Sequence, residues 1–294
     1  MFSYIIYLRD EDMFNFIKKK KTGICFSGGG VKGFAHIGVI KALEENGIKF
    51  DMASGNSAGS IVGALYALGI GADEMLDYSL SMEVRDIINY KSVRNKLSFD
   101  SAKDLINSFK GITLSPAIDS ENIEKFFLGI GGDKLFNDTL IPFYAVSTDL
   151  KSGKLVVMDK GRLATAVRAS SAIPGVFTPV VSDKYTLVDG LVLNNMPADI
   201  LKDKGADKVL SINLKKYSKI GTDSTKYFDM LFATIDIMAD RSLYDGINAS
   251  DLVINPYLED TKLTLDDNYI KQVYDFGYKE AMTNMDKIVK MFGK

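Results

Sequence analysis

Apolar residues follow two spacings along this chain, and the switch between them marks a repeated strand–helix unit. Residues 22–27, Thr-Gly-Ile-Cys-Phe-Ser, read as a short buried strand. From Phe34 to about Asn46 the spacing turns helical, with Val39, Ile40 and Leu43 on one side and Lys41, Glu44 and Glu45 on the other. Gly47 stops this helix. Ile48 to Ala53 reads as a second strand and Ser60 to Leu68 as a second helix. Strand, helix, strand and helix in that order predict a parallel α/β arrangement.

Beyond this opening the pattern changes. Residues 73–138 are mostly helical and more polar, with breaks near Gly111 to Pro116 and Gly129 to Gly132, and read as a helical region beside the sheet. Strands resume at Phe143 to Ser147 and Lys154 to Met158. Residues 161–172 form a small-residue helix ended by Pro174. Tyr185 to Leu193 alternates like a hairpin, and Lys208 to Asn213 and Asp251 to Asn255 are further strands. Residues 215–226 are polar and read as a mobile loop. Asp267 to Phe292 reads as one long amphipathic helix, with Ile270, Val273, Tyr274, Ala281, Met285, Ile288 and Phe292 on its apolar side. The expected organisation is an N-terminal extension over 1–21, an α/β domain over 22–213, and a C-terminal strand and helix over 214–294 packing on that domain.

Composition narrows the chemistry. The 294 residues are 46% hydrophobic and 25% charged, as in an ordinary soluble globule. The net charge of -2 gives no bulk attraction to nucleic acid, so no nucleic-acid partner is expected. Cys25 is the only cysteine, which rules out an intrachain disulfide and suits a cytoplasmic location. Its neighbours are apolar, and it reads as a core residue. The first 21 residues do not have the order of a secretory signal: the acidic residues Asp10, Glu11 and Asp12 precede the lysines Lys18 to Lys21. Those lysines read as a solvated cluster, or as a transient membrane-surface contact worth about 1 kcal/mol each. Residues 52–72 carry no charge, but five glycines, Asn56 and three serines leave too short an apolar stretch to span a bilayer. The only histidine is His36, which excludes a zinc site of several His and Cys ligands. Neither a metal nor another cofactor is expected.

Two glycine-rich stretches carry the candidate chemistry. Gly55-Asn56-Ser57-Ala58-Gly59 places a serine between a strand and a helix, the setting of a nucleophile elbow. The small residues allow the sharp turn, and the first amides of the following helix can face a reacting carbonyl oxygen. Upstream, Gly28-Gly29-Gly30-Val31-Lys32-Gly33 follows the first strand and opens the first helix. Its spacing fits a dinucleotide loop, with Asp51 lying 23 residues beyond Gly28 where a ribose-binding acid would sit. It equally fits an oxyanion loop. The elbow favours the second reading, because adjacent parallel strands bring both loops to one edge of the sheet.

Ser57 then needs a base. His36 falls with Val39, Ile40 and Leu43 on the core side of its helix and precedes the serine, against the order of an α/β-hydrolase triad. It reads as a hydrogen-bonded core histidine. Lys32 would need strong desolvation to be neutral near pH 7, and its simpler role is a positive charge beside the loop. A carboxylate is left. Asp149 ends a strand, and Asp189 lies in Val188-Asp189-Gly190, where Asp-Gly is also a common hairpin turn. Spacing alone does not choose between them.

Four ordered motifs resemble the patatin-like phospholipases. They are Gly28 to Gly33 with Ala35 to Val39, Gly55 to Gly59, Ala169 to Pro179, and Asp189-Gly190-Leu191 followed by Asn194-Asn195-Met196-Pro197. The resemblance covers residues 22–213 and implies a three-layer fold, with a mainly parallel sheet between helices. It also implies a Ser-Asp dyad acting on lipid esters, with Ser57 as nucleophile, Asp189 as base and Gly28 to Gly33 supplying oxyanion amides. Lys32 occupies a slot usually held by Arg or Lys. Two positions depart from the pattern: Asn56 stands where threonine is usual, and Leu191 where a small residue is usual.

Overall fold

Residues 20–81, 118–214, 227–256 and 267–293 are described by a computed structural model of the chain. Most of the expected N-terminal extension (1–19), the middle of the expected helical region (82–117) and the polar loop 215–226 lie outside the described residues.

Eight strands among the described residues form one sheet. In chain order they are β1 (Thr22–Phe26), β2 (Met52–Gly55), β3 (Phe143–Asp149), β4 (Lys154–Met158), β5 (Val180–Val181), β6 (Thr186–Asp189), β7 (Lys208–Ile212) and β8 (Leu252–Ile254). The run β3-β2-β1-β7-β8 is parallel, and β4, β5 and β6 join it antiparallel. The helices are α1 (Phe34–Glu45), α2 (Ala58–Ala67), α3 (Ala72–Leu80), α4 (Glu121–Gly131), α5 (Leu163–Ser170), α6 (Ala198–Asp203), α7 (Tyr227–Arg241), α8 (Tyr244–Ala249), α9 (Asp267–Thr283) and α10 (Met285–Phe292).

Strand periodicity separates two cores. Alternate side chains of a strand point to opposite faces. Ile24 and Phe26 of β1, Ala53 of β2, Phe143 and Ala145 of β3, and Leu210 and Ile212 of β7 share one core with α1, α2, α4, α5, α9 and α10. The residues between them, Cys25, Met52 and Val209, join Ala198 and Leu201 of α6 and Leu243 in the other. The result is helix, sheet and helix in three layers. The central strands are covered on both faces, which is why they read as apolar runs rather than alternating ones.

The sheet register sets the position of the site. β2 stops at Gly55, which pairs with Ala145 of β3. β4 occupies the other edge of β3 along its whole paired length, Ala145 to Asp149. β6 must therefore bind the same edge as β2, and it pairs Asp189 with Ser147. Asp189 thus lies in line beyond the end of β2, about 7 Å along the strand from Gly55 at roughly 3.3 Å per residue. That is the place where the chain turns out of β2 into the elbow.

Helices α9 and α1 meet backbone to backbone at Gly38 and Gly277. A methyl group at Gly38 would strike the Tyr274 carbonyl and the Tyr278 amide, and one at Gly277 would strike the Ala35 backbone. Tyr278 Oη donates to Glu45 Oε2 at 2.7 Å at the end of α1.

Two expectations require correction. The expected single helix from Asp267 to Phe292 is two, broken at Asn284. Asn284 has φ −100° and ψ 6°, outside helical values, and its Nδ2 donates to the Glu280 carbonyl at 3.0 Å beside the bond from its own amide at 3.2 Å. The expected hairpin over Tyr185 to Leu193 is also shifted. β5 and β6 form the hairpin, turning between Ser182 and Tyr185, while Gly190–Val192 is a 3-10 turn after β6. Among the described residues, no helix is long and apolar enough to cross a membrane.

Candidate active site

The chain leaves β2, turns at Ser57 and enters α2 at once. Ser57 has φ 51° and ψ −128°, and among the described residues it is the only non-glycine with positive φ. Such strain survives only where the surroundings over-determine it. Here the Ser57 amide donates to both Ser170 O and Ser170 Oγ at 3.1 Å, and Ser60 Oγ donates to the Ser57 carbonyl at 2.7 Å. The turn is also too tight for side chains on either side. A methyl at Gly55 would meet the Gly59 carbonyl, and one at Gly59 would sit 2.6 Å from the Ser27 carbonyl oxygen.

Asp189 comes to this turn from the end of β6 and is fully buried. Its Oδ1 accepts from Leu191 N at 2.8 Å and from Asn56 Nδ2 at 2.9 Å. The Ser57 hydroxyl lies close enough to stabilise the same carboxylate. Oδ2 is buried with no closed hydrogen bond. Burial pushes the Asp189 pKa up to about 6, and the donors from Leu191, Ser57 and Asn56 only partly oppose it. The carboxylate is therefore a stronger base than an ordinary aspartate and still ionised at neutral pH.

The glycine loop packs directly on the elbow. A methyl at Gly28 would strike Asn195 Oδ1 and lie 3.2 Å from Ser57 Cβ, and one at Gly33 would lie 2.8 Å from Ala58 Cβ. Gly30–Gly33 forms a 3-10 turn, entered from Gly29, with Gly30 at φ 56°. Not every amide of Gly28 to Gly33 is available to an oxyanion. Gly28 N donates to Asn195 O at 2.9 Å and Lys32 N to Gly29 O at 3.2 Å. The amides of Gly29, Gly30 and Ala58 donate to no group among the described residues. Val31 and Lys32 are half-buried.

The other candidate groups are engaged elsewhere. Asp149 accepts from Ser152 Oγ at 2.6 Å and from the amides of Ser152, Lys151 and Thr186. These bonds hold its pKa down to about 2, and it pins the β3–β4 turn two residues beyond Ser147. His36 is buried with Nε2 2.8 Å from the Ser27 carbonyl oxygen, edge-on to Phe26. Burial lowers its pKa to about 4, so it is neutral. Cys25 lies in the second core, its pKa raised to about 12 by burial. Asp51 accepts from the Thr22 amide and hydroxyl at the start of β1. The glycine loop leaves the opposite end of that strand, so Asp51 is on the wrong edge for a ribose.

The family's sequence model for patatin-like phospholipases matches residues 24–202. This chain belongs to the patatin-like phospholipase family. An uncharacterised NTE family protein of Mycobacterium tuberculosis is 28% identical over 68% of this chain and 31% of its own length. Human patatin-like phospholipase domain-containing protein 6 is 32% identical over 71% of this chain and 14% of its own length. The chain thus spans less than a third of these relatives. Among solved structures, VipD from Legionella pneumophila superposes with a TM-score of 0.49 at 18% identity, covering 91% of this chain and 67% of that one.

In this member of the family the two departures have distinct surroundings. Asn56 is fully buried and touches the aspartate directly. Leu191 is buried in the 3-10 turn. Its amide donates to Asp189, its carbonyl accepts from Ser242 Oγ at 2.6 Å, and the turn packs on α7. Gly190 must be small, since a methyl there would meet Asn56 Oδ1 and lie 2.8 Å from Val146 Cγ2. Sequence reasoning assigned no role to Ser170 or Asn195. Both are polar residues buried almost completely, and the signal in the sequence was their place inside two of the four motifs. Among the described residues, no group of three or more His, Cys, Asp or Glu side chains is placed to hold a metal.

Proposed function

We propose that this protein hydrolyses carboxylic ester bonds of lipids through an acyl-Ser57 intermediate, with Asp189 as base. The observation that carries the reading is a buried, uncharged-neighbour carboxylate beside a serine on a strained strand-to-helix turn, with the only histidine locked in the core. Residues 22–213 would form the catalytic part, with β8, α9 and α10 packed on it.

In this reading Ser57 Oγ attacks the ester carbonyl and its proton passes to Asp189 Oδ2. The amides of Gly29, Gly30 and Ala58 donate hydrogen bonds to the developing oxyanion. Collapse breaks the ester C–O bond, and the departing alcohol takes the proton from Asp189. Water then attacks the acyl-Ser57 carbonyl while Asp189 accepts one of its protons. The acid leaves, and the proton returns to Ser57. Each proton taken up by Asp189 is given back within the same half-reaction, so the steps balance among Ser57, Asp189, the ester and water.

The test is a panel of lipid and simple esters, together with fluorophosphonate labelling, on wild type, Ser57→Ala and Asp189→Asn. Ester turnover and labelling that vanish in Ser57→Ala and fall at least a hundredfold in Asp189→Asn support the reading. Labelling that persists in Ser57→Ala places the nucleophile elsewhere. The panel also reports which head group and acyl chain fit beside Leu191.

A further inference from the structure

Asn56 lies between the two members of the dyad and holds a closed circuit of hydrogen bonds. Its Nδ2 donates to Asp189 Oδ1 at 2.9 Å and to Asn195 Oδ1 at 3.0 Å. Its Oδ1 accepts from Ser170 Oγ at 3.3 Å. Ser170 Oγ in turn accepts from the Ser57 amide at 3.1 Å. Two acceptors on one side and one donor on the other fix the orientation of the amide, which could otherwise be reversed. Asn195 is itself held: its main-chain amide donates to Ser242 O at 3.1 Å, its main-chain carbonyl accepts from Gly28 N at 2.9 Å, and its Nδ2 donates to Ala239 O at 3.4 Å.

The circuit makes the two oxygens of Asp189 unequal. Oδ1 carries two donors, while Oδ2 carries no closed hydrogen bond. A carboxylate oxygen relieved of donors is the more basic one. We propose that Asn56 is a positioning residue that selects Asp189 Oδ2 as the atom that takes the Ser57 proton, with Asn195 and Ser170 fixing the orientation of its amide. This inference rests on the dyad reading and adds to it the device that orients the base.

Asn56 also donates to the ionised form of a buried group and so favours ionisation. Ionisable groups on the elements around Asp189 do not replace it. On β3, Asp149 is tied into its turn; on α5, Arg168 binds Ser120 Oγ and Glu124. On α1, His36 faces the Ser27 carbonyl, and on α6, Asp199 accepts from Asn194. Neither Lys32 of the glycine loop nor Asp236, Asp240 and Arg241 of α7 acts on the carboxylate by charge.

The experiment follows the rate of Ser57 labelling by a fluorophosphonate against pH in folded wild type, Asn56→Ala, Asn195→Ala and Asp189→Asn. The acid limb should move up by about one pH unit in Asn56→Ala, with the plateau reduced about tenfold. Asn195→Ala should move it in the same direction by less. A lower plateau with an unmoved limb in Asn56→Ala would reduce Asn56 to a packing role and overturn the proposal. If Asn56→Ala does not fold, Asn195→Ala decides: an unmoved limb overturns the proposal and an upward shift supports it. Asp189→Asn separates the two levels. Wild-type labelling rates in that variant remove the dyad and this inference together, whereas an unmoved limb in the asparagine variants removes the inference alone.

Discussion

Asn56 and Asp189, 133 residues apart in the chain, are joined by a 2.9 Å hydrogen bond in a site closed to solvent. The bond is one of three donors that oppose the effect of burial on the aspartate, and burial prevails. A base with a pKa of about 6 must lose its proton to act. Ester hydrolysis should therefore rise with pH through about 6 and level off above it. A kcat/KM profile checks this; a limb near 4 would mean an aspartate in ordinary solvation.

The same burial has a cost in stability. The folded-state pKa of Asp189 is raised from 3.8 to about 6. Its neutral form therefore favours the fold below about pH 4, and that contribution is lost as pH rises through 6. At neutral pH the loss is on the order of 2–3 kcal/mol, at 1.36 kcal/mol per pKa unit. Asp189→Asn should raise the denaturation midpoint at pH 7 and gain little at pH 4, while removing activity. Urea unfolding at the two pH values measures the difference.

His36 acts with the opposite sign. Its folded-state pKa lies at about 4, below the usual 6.5. The fold is favoured by the neutral ring above pH 6.5, and that contribution disappears as pH falls towards 4, by about 3 kcal/mol. His36→Gln should lack this acid-dependent loss relative to wild type and should retain Ser57 labelling. Abolished labelling in a folded variant would return the histidine to the list of bases.

Glycines in one loop should differ sharply. Gly28→Ala drives a methyl into Asn195 Oδ1 beside Ser57 and should cut labelling at least a hundredfold. Gly30→Ala meets nothing within 4 Å, and its φ of 56° costs only about 1–2 kcal/mol for an alanine. Its labelling should fall by no more than about tenfold. Parallel rate measurements on the two variants decide whether shape or conformation matters more in this loop.

Away from the chemistry, Gly277→Ala should destabilise the fold by about 2–4 kcal/mol, because the new methyl meets the Ala35 backbone rather than a movable side chain. Thermal unfolding measures the loss. Ser57 labelling of the folded fraction should be unchanged.

Much of this site can be read from the chain. The elbow, the glycine loop and their shared sheet edge follow from strand–helix spacing, since parallel neighbours end at the same side. Asp189 and Asp149 could not be separated that way. Both end strands, and what divides them is non-local: Asp149 sits among the donors of its own turn, while Asp189 is carried to the elbow by a register with Ser147. The Asn56–Asn195–Ser170 circuit was hidden for the same reason, because its bonds span more than a hundred residues. The break at Asn284 was missed because the apolar stripe continues across it. The hairpin was misplaced because Asp-Gly has the same local signature in a turn as at a strand end.

The register of β3 has a further consequence. Ala145 holds the end of β2 and Ser147 holds Asp189, so a single strand measures the distance between the Ser57 turn and Asp189. Moving them apart would require breaking main-chain bonds in the middle of the sheet. Under the proposed mechanism, control works through what reaches the serine, or through the glycine loop that leaves a different strand. A switch that opens the dyad itself is closed to this architecture.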